Sequence, residues 1–443
     1  MVSGATLRRM DLLDLADGLF TGRLPVESHH PFASSGEMAE VQPGLAFVDA
    51  FANSAAVDTP DGLVIVDTSG FIHAKSVHQT IRRWSSSRLN TAVFTHGHVD
   101  HVFGVDLYEE DARTNGWAPP RVIAHEAIRA RFERYVMTAG YNAVINQRQF
   151  KVPGLQWPID YRMPDETYRD AMKITVGGEA FELFHDRGET DDATWVWNPS
   201  RKVLFAGDMF IWASPNCGNP QKVQRYARDW AIAFRKMIAL SPEVLLPGHG
   251  LPIVGADRVR QALTEGAELL ETLVEQTLAL MNEGARLDDI AHTVRAPAHL
   301  IERPYLHAWY DEPEFVVRNI WRLYGGWYDG DPSHLKAAPA DALARELADL
   351  SGGASRLAER ARELADLSGG ASRLAERARE VAAAGDLRLA GHLAELAAQA
   401  APDDKGVHAA RAEVFGKRAQ EEASTMSKGI FSWAEHESRE KSQ

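Results

Sequence analysis

The chain has a single cysteine, fewer basic than acidic residues and no long apolar run. Cys217 has no second cysteine to pair with, which excludes an intramolecular disulfide framework. No apolar segment approaches the roughly 18 residues that a membrane-spanning helix needs, so no membrane span is predicted. Lys and Arg number 48 against 62 Asp and Glu, giving a formal charge of −14. This balance argues against a nucleic-acid partner, because phosphate backbones attract basic surfaces.

The first residues and the lone cysteine bear on location and chemistry. Residues 1–20 place Arg8 and Arg9 before alternating acids and leucines, without an uninterrupted apolar core. No secretory signal is expected, and the predicted location is cytoplasmic. Cys217 can in principle act as a nucleophile, but we interpret it as a small buried apolar side chain. With 45% hydrophobic and 25% charged residues, the chain is globular and long enough for two or three domains.

The most informative motif is Thr-His-Gly-His-Val-Asp-His at residues 95–101. A strand is predicted just before it, and side chains two apart on extended backbone share a face, so His96 and His98 can bind one ion. Asp100 and His101 follow where a helix is predicted to begin, and face a second point nearby. Imidazole and carboxylate suit zinc, with manganese or iron as alternatives. The other interpretation is a histidine-rich surface turn.

Three later segments also end an apolar run at possible metal ligands. In chain order these ligands are His185, Asp186 and Glu189, then Asp208 at the end of a buried-type strand, then His249 between two glycines. Each segment alone can be a capped turn. Their order after the histidine motif indicates that later strand ends supply further ligands.

The order of these motifs along the chain resembles that of a known family. A strand ending at Asp67, the histidine motif, a Gly-Glu turn at Glu189 and the pairs Gly207-Asp208 and Gly248-His249 resemble the metallo-β-lactamase fold superfamily over residues 19–254. Most members have a histidine where this chain has Glu189, whereas the alkylsulfatase branch uses glutamate. Residues 310–314 and 323–332, with the string Gly-Trp-Tyr-Asp-Gly-Asp-Pro, resemble the helical dimerisation domain of that branch.

The resemblance implies an α/β fold, an αββα sandwich followed by an all-α dimerisation domain, and two zinc ions per chain. The implied ligands are His96, His98 and Glu189 for one ion, Asp100, His101 and His249 for the other, and Asp208 as the bridge. Asp100 and Asp208 are the implied catalytic residues. A metal-bridging hydroxide would attack an ester or deprotonate an attacking water. Glu189 adds negative charge compared with histidine, which should weaken the metals as Lewis acids.

Asp67 is a candidate hydrogen-bond acceptor for the free N–H of a ligating histidine. The alternative is a turn cap formed with Thr68 and Ser69.

Two departures from the alkylsulfatase pattern bear on the substrate. Phe315 stands where that branch has a histidine implied to assist the leaving group. Residues 212–222 lack the arginine expected to grip a sulfate, since its planar fork binds tetrahedral oxyanions. The basic residues that can replace it are Lys222, Arg225, Arg228 and Arg318. The expected substrate contacts are Trp212, Asn216, Arg318, Tyr324, Trp327 and Tyr328.

We therefore expect a dinuclear zinc hydrolase acting on an alkyl sulfate ester, or a related small-molecule ester with an apolar tail. One alternative is hydrolysis of a lactone, carboxylic ester or thioester at the same site. Another is a non-catalytic, metal-stabilised dimeric scaffold, although a scaffold needs no open coordination position.

The predicted domains are a hydrolase domain over residues 1–254, a helical dimerisation domain over 255–420 and a C-terminal helix and tail over 421–443. We expect a homodimer and no sterol-carrier-like domain. Helices are predicted at 256–283 and 314–324, and a helical hairpin at 383–419. Residues 344–360 recur letter for letter at 361–377. Each copy is predicted to form a helix, a break at Ser-Gly-Gly and a second helix.

Overall fold

The computed structural model describes residues 11–26, 30, 33–350, 352–366 and 387–443. The described residues form two compact units. The first contains the residues up to Gly140 together with Trp157–Trp327, and the second contains Tyr141–Gln156 with Tyr328–Gln443.

A seven-stranded sheet forms one layer of the first unit, with its strands in sequence order. Pairing is antiparallel from β1 to β4 and parallel from β4 to β7. The strands are β1 Met38–Gln42, β2 Leu45–Val48, β3 Ser54–Thr59, β4 Gly62–Val66, β5 Leu89–Val93, β6 Arg121–His125 and β7 Glu166–Tyr168. The strand predicted before the histidine motif is β5, at the centre of the parallel part.

A six-stranded sheet faces the first, in the order β13-β12-β11-β10-β9-β8. Only β11 and β12 pair in parallel. The strands are β8 Ala171–Val176, β9 Glu179–His185, β10 Thr194–Asn198, β11 Val203–Ile211, β12 Val244–His249 and β13 Ile253–Val254.

The prediction that a strand stops at Asp208 is wrong, because β11 continues to Ile211. Its pairing with β12 shifts register on either side of Gly207, which has a φ of +50°. A Cβ at Gly207 would lie 2.6 Å from the Cβ of Thr95. Glycine therefore permits an irregularity in the pairing of β11 with β12, and the apolar sequence pattern does not reveal this irregularity.

Helices of the first unit pack on the outer faces of the two sheets or against another helix. They are α1 Leu12–Phe20, α2 Ala74–Trp84, α3 Val105–Asn115, α4 Ile128–Met137, α6 Ala227–Ala239, α7 Ala256–Asn282, α8 Leu287–Thr293, α9 Ala298–Ile301 and α10 Pro313–Gly325. Of these, α8, α9 and α10 pack against α7. Alternating residues of β4 belong to different apolar clusters: Val64 and Val66 pack towards the second sheet, and Leu63 and Ile65 pack with α2, α3 and α4. The predicted αββα sandwich is confirmed.

Two helical features differ from the sequence expectation. Asp100 and His101 lie in turns rather than at a helix start, since α3 begins only at Val105. Helix α7 packs against α6, and the compact unit extends to Trp327. Residue 254 marks the change from strands to helices, and its role as a domain boundary stays a prediction.

The second unit is helical. It contains the part of α5 Ala139–Phe150 from Tyr141 onward, together with α11 Pro332–Leu335, α12 Ala340–Leu350, α13 Ala354–Asp366, α14 Leu387–Ala400, α15 Lys405–Glu421 and α16 Thr425–Ser442. In the first copy of the repeat, two helices flank a break in which Gly352 and Gly353 have φ of +88° and +112°, as predicted. Most of the second copy, residues 367–377, and the start of the predicted hairpin, 383–386, lie outside the described residues; α14 and α15 form the rest of that hairpin. None of the described helices is both long and apolar enough to cross a membrane.

Asn53 ties the first sheet to the turn that carries His249. Its side-chain amide donates to the carbonyl oxygens of Pro247 at 3.0 Å and Gly250 at 2.9 Å, and its backbone N–H donates to that of Gly248 at 2.8 Å. Asn53 is 4% exposed. The turn is thus held across the two sheets by one buried amide.

Asn53→Ala should lower the free energy of unfolding by about 1–3 kcal/mol, because two carbonyl oxygens lose their donor away from water. Asn115→Ala is the matched control: Asn115 donates to the Asp111 carbonyl at an exposed position, and its loss should cost no more than about 0.5 kcal/mol. Urea unfolding of both variants checks this. Equal changes would mean that the buried amide does not hold the turn.

Candidate metal centre

The seven side chains predicted as metal ligands lie together where strands of both sheets end. They form two adjacent groups, one of His96, His98, Glu189 and Asp208, the other of Asp100, His101 and His249. Within each group, one ligand atom per residue lies within 4.8 Å of the others. The loop after β5, the loop after β9, an interior position of β11 and the end of β12 deliver them.

Asp208 contacts both groups. Its Oδ2 lies 3.7 Å from His96 Nε2 and 3.2 Å from His249 Nε2, and its Oδ1 lies 3.3 Å from His101 Nε2. Asp100 Oδ2 lies 3.5 Å from His249 Nε2. Asp208 therefore has the position of a carboxylate shared between two cation sites.

The donor set fits divalent cations. His101 Nε2, Glu189 Oε2 and Asp208 Oδ1 are buried and hydrogen-bond to no other described atom. Such an unpartnered atom costs about 1–3 kcal/mol. Two further ligand atoms, His96 Nε2 and His98 Nδ1, face each other at 2.7 Å. Lone pairs that converge in this way suit imidazole and carboxylate ligands of zinc.

Hydrogen bonds to the other ring nitrogens orient the histidines. His101 Nδ1 lies 2.8 Å from Asp67 Oδ2, and His249 Nδ1 donates to the Phe51 carbonyl oxygen. Asp67 also accepts from the backbone N–H of Thr95 at 2.7 Å and its hydroxyl at 2.6 Å. With Nδ1 protonated, Nε2 of each ring keeps a lone pair for the cluster. Asp67 makes the contact expected of an outer partner, and that role stays a prediction.

The pKa values of the histidines are shifted in different directions in the two groups. Burial holds the pKa of His96 and of His98 well below the usual value. Burial would also lower the pKa of His101, but the Asp208 and Asp67 carboxylates outweigh it and raise this pKa well above its usual value. His96 and His98 are therefore neutral and able to offer lone pairs.

Glu189 is held by two residues for which the sequence suggested other roles. Its Oε1 accepts from Arg225 Nη1 at 2.8 Å and from the side-chain amide of Asn216. Arg225, a candidate sulfate-binding residue, is 2% exposed and is engaged by this ion pair. Asn216, an expected substrate contact, likewise contacts Glu189. The sequence indicated the negative charge of Glu189 but not the guanidinium of Arg225 that lies beside it.

Two candidate ligands from the β9 end lie outside both groups. His185 stacks on His125 with ring centroids 3.6 Å apart, and its Nδ1 contacts the Ala193 carbonyl oxygen at 2.8 Å. Asp186 pairs with Lys236. The strand orients these side chains away from the ligand clusters.

The expected substrate contacts have varied positions. Trp212 is 1% exposed and its indole N–H donates to the Leu251 carbonyl oxygen at 2.6 Å, so this ring is a core residue and the prediction was wrong. Tyr324 and Trp327 are 47% and 71% exposed. Arg318 pairs with Glu314 one turn away, and Tyr328 belongs to the second unit.

Cys217 is 0% exposed, in keeping with the interpretation as a small buried side chain. Burial raises the pKa of its thiol far above the usual value. The reactive thiolate form is therefore suppressed.

Sequence reasoning missed an ion pair that supports the histidine motif. Asp192 Oδ2 accepts from the backbone N–H of Gly97 at 2.9 Å, and its Oδ1 accepts from Arg131 Nε at 2.7 Å. Both charged residues are buried. Asp192 lies three residues after Glu189, which is a weak signal, but nothing in the sequence points to Arg131 on α4.

Lys222 lies beside the cluster in a row of aromatic rings. Its Nζ is 5.4 Å from the centre of the Trp157 ring, Trp157 is 5.5 Å from Tyr135, and Tyr135 is 6.4 Å from His98. Burial lowers the pKa of Lys222 to about 8, while Asp100 and Glu189 act in the opposite direction. The site therefore has a nearby ammonium against an apolar wall.

Gly248→Ala should displace Asp208, because a Cβ at Gly248 would lie 2.0 Å from Asp208 Oδ1 and 2.7 Å from the Gly207 carbonyl carbon. We expect metal affinity to fall about 10- to 100-fold, the usual effect of disturbing a ligand's support. Zinc retained after dialysis, measured by atomic emission, checks this. Gly140→Ala is the control, since nothing lies within 4 Å of its Cβ position. Retention equal to that of the control would contradict the required close approach.

Two family models match separate parts of the chain. Residues 48–249 match the metallo-beta-lactamase superfamily. Residues 286–367 and 357–441 match the alkyl sulfatase dimerisation family, and these two matches overlap inside the duplicated segment.

Curated relatives are alkylsulfatases. A linear primary-alkylsulfatase of Pseudomonas sp. is 26% identical over 324 residues, 68% of this chain and 61% of the relative. An (R)-specific secondary-alkylsulfatase of Pseudomonas sp. is 25% identical over 351 residues, 72% of this chain and 53% of the relative. An alkyl/aryl-sulfatase of Saccharomyces cerevisiae is 23% identical over 337 residues, 70% of this chain and 52% of the relative. The chain thus spans between 52% and 61% of these relatives' lengths.

The fold is similar to that of a solved structure, the stereoselective inverting sec-alkylsulfatase Pisa1 from Pseudomonas sp. The TM-score is 0.76 at 22% identity, over 90% of this chain and 64% of that one. The chain is thus similar to the metallo-β-lactamase superfamily over residues 48–249 and to the alkyl sulfatase dimerisation family over residues 286–441.

Proposed function

We propose that this chain is a dinuclear zinc hydrolase that cleaves an alkyl sulfate ester, with manganese or iron as the alternative metals. The observation that carries the proposal is the pair of ligand groups that share Asp208, with buried atoms in both that lack other partners. The relatives' printed names supply the substrate class.

The residues divide into two ion sites. His96, His98 and Glu189 would hold one cation, Asp100, His101 and His249 the other, and Asp208 would contact both. Bound there, two divalent cations supply a water of pKa near 7 and polarise the ester's anionic group. Asp67 fixes the orientation of His101, and Asn53 fixes the turn that presents His249.

Lys222 is the best candidate for binding the anionic head group. Of the four basic residues suggested by the sequence, Arg225 is committed to Glu189, Arg318 pairs with Glu314 and Arg228 is exposed. Lys222 lies in the row of rings that leads to His98. Tyr135 and Trp157 in the same row offer an apolar surface for the carbon chain of the substrate.

A neutral ester, such as a lactone, carboxylic ester or thioester, is the second candidate substrate. Two observations favour it: Phe315 replaces the histidine implied to assist the leaving group, and the buried Arg225 is unavailable to a sulfate. A Lys222 ammonium can nevertheless hold an anion as a point charge, which keeps the sulfate ester ahead.

We also propose a homodimer. Its support is the match of residues 286–441 to the alkyl sulfatase dimerisation family.

Lys222 should give substrate binding a pH dependence. Below pH 8 its ammonium is charged and attracts an anionic ester, and the charge is lost as the pH rises through the pKa of about 8. KM for dodecyl sulfate should then rise about tenfold per pH unit above this value, and Lys222→Arg should remove the rise. The exposed Lys236→Arg is the control. A wild-type KM that stays constant from pH 7 to 10 would contradict this role.

Metal analysis combined with a substrate comparison tests the function itself. We expect about two zinc ions per chain, turnover of dodecyl sulfate above a long-chain lactone and an acyl thioester, and loss of activity on chelation. His98→Ala should abolish activity, whereas His292→Ala, at an exposed position, should not. Faster turnover of the lactone or thioester would favour the second candidate. Two bound metals without turnover of any ester would favour a metal-stabilised scaffold.

A further inference from the structure

The two carboxylate oxygens of Glu189 have different surroundings. Oε1 accepts from Arg225 and from Asn216, whereas Oε2 hydrogen-bonds to no described atom. Oε2 lies 3.5 Å from His98 Nδ1 and 3.7 Å from His96 Nε2. Oε1 is thus paired with the guanidinium of Arg225, and Oε2 faces the histidines of the ligand group.

Arg225 is fixed at both ends. Its guanidinium donates to Glu189 and to the backbone carbonyl of Asn216. Its own carbonyl oxygen accepts from the side-chain amides of Asn319 at 2.9 Å and Gln224 at 2.8 Å. Glu189 and Arg225 are 4% and 2% exposed, so water screens neither charge.

We infer that Arg225 is a positioning residue that makes Glu189 electrostatically equivalent to a neutral histidine ligand and limits it to one coordinating oxygen. This inference rests on the proposed metal site. A third histidine in this group would bring no charge, and the glutamate brings one negative charge that the guanidinium balances. The site keeps the charge of a three-histidine site while using a carboxylate oxygen.

The consequence is that residues 189 and 225 depend on each other. Glu189→His alone leaves a buried guanidinium facing the cation site without a partner, and such an uncompensated charge is strongly unfavourable. A second change, Arg225→Gln, removes that charge. The arginine should therefore support metal binding beside glutamate and oppose it beside histidine.

The experiment compares the zinc affinity of four full-length proteins by competition with a chromophoric chelator. They are the wild type, Glu189→His, Glu189→His/Arg225→Gln and the control Glu189→His/Arg228→Gln, which changes an exposed arginine. At the weaker of the two zinc sites, we expect the Glu189→His/Arg225→Gln variant to have an affinity at least about tenfold higher than that of Glu189→His. A change of this size is typical when a residue that supports a metal ligand is altered. The control should equal Glu189→His.

An Arg225→Gln change that leaves affinity unchanged or weakens it in the Glu189→His background would overturn the inference, since removal of a purely structural arginine would be harmful beside either ligand. Circular dichroism verifies folding. If Glu189→His does not fold, the same comparison with Glu189→Gln, which keeps the side-chain shape, decides the question by the same criterion. Failure of the wild type itself to bind zinc would instead overturn the proposed function.

Discussion

The structure depends on a buried carboxylate, Asp208, placed among imidazoles from two ligand groups. An ionised carboxylate removed from water is unfavourable unless positive charge lies close to it. Here the Nε2 atoms of His96, His101 and His249 each lie within 3.7 Å of one of its oxygens. Cations bound between the two ligand groups would supply the positive charge that this buried carboxylate needs.

The rest of the fold holds this arrangement in place from both sheets. The first sheet supplies Asp67, whose carboxylate orients His101 and fixes Thr95, and Asn53, whose amide fixes the turn before and after His249. The second sheet supplies Asp208 itself, and Gly248 leaves the space that its carboxylate occupies. Buried ion pairs complete the support: Arg131 with Asp192 beneath the histidine motif, and Arg225 with Glu189 beside it.

The sequence predicted the parts of the site that are local in the chain. His96, His98, Asp100 and His101 lie one or two positions apart, and the order of Asp208 and His249 after them, each in an apolar run next to glycine, indicated further ligands. The αββα class was implied by the resemblance of these motifs to the metallo-β-lactamase superfamily. Helices α7 and α10 were readable from their apolar periodicity.

What the sequence could not predict depends on contacts between distant segments. Arg225 was one of four candidates for binding a sulfate, because an arginine in a loop carries no sign of its partner, 36 residues away. Trp212 was taken for a contact surface because burial of an aromatic ring is decided by packing, here against Phe20 and Tyr305. His185 matched the ligand pattern, yet its ring stacks on His125. The continuation of β11 past Asp208 depends on a single glycine conformation.

The central claim is that seven side chains hold two cations that share Asp208. Anomalous X-ray diffraction at the zinc absorption edge, from crystals of the zinc-loaded protein, tests it most directly. We expect two anomalous peaks about 3.5–4 Å apart, one among His96, His98 and Glu189 and the other among Asp100, His101 and His249. A single peak, or peaks away from Asp208, would contradict the claim.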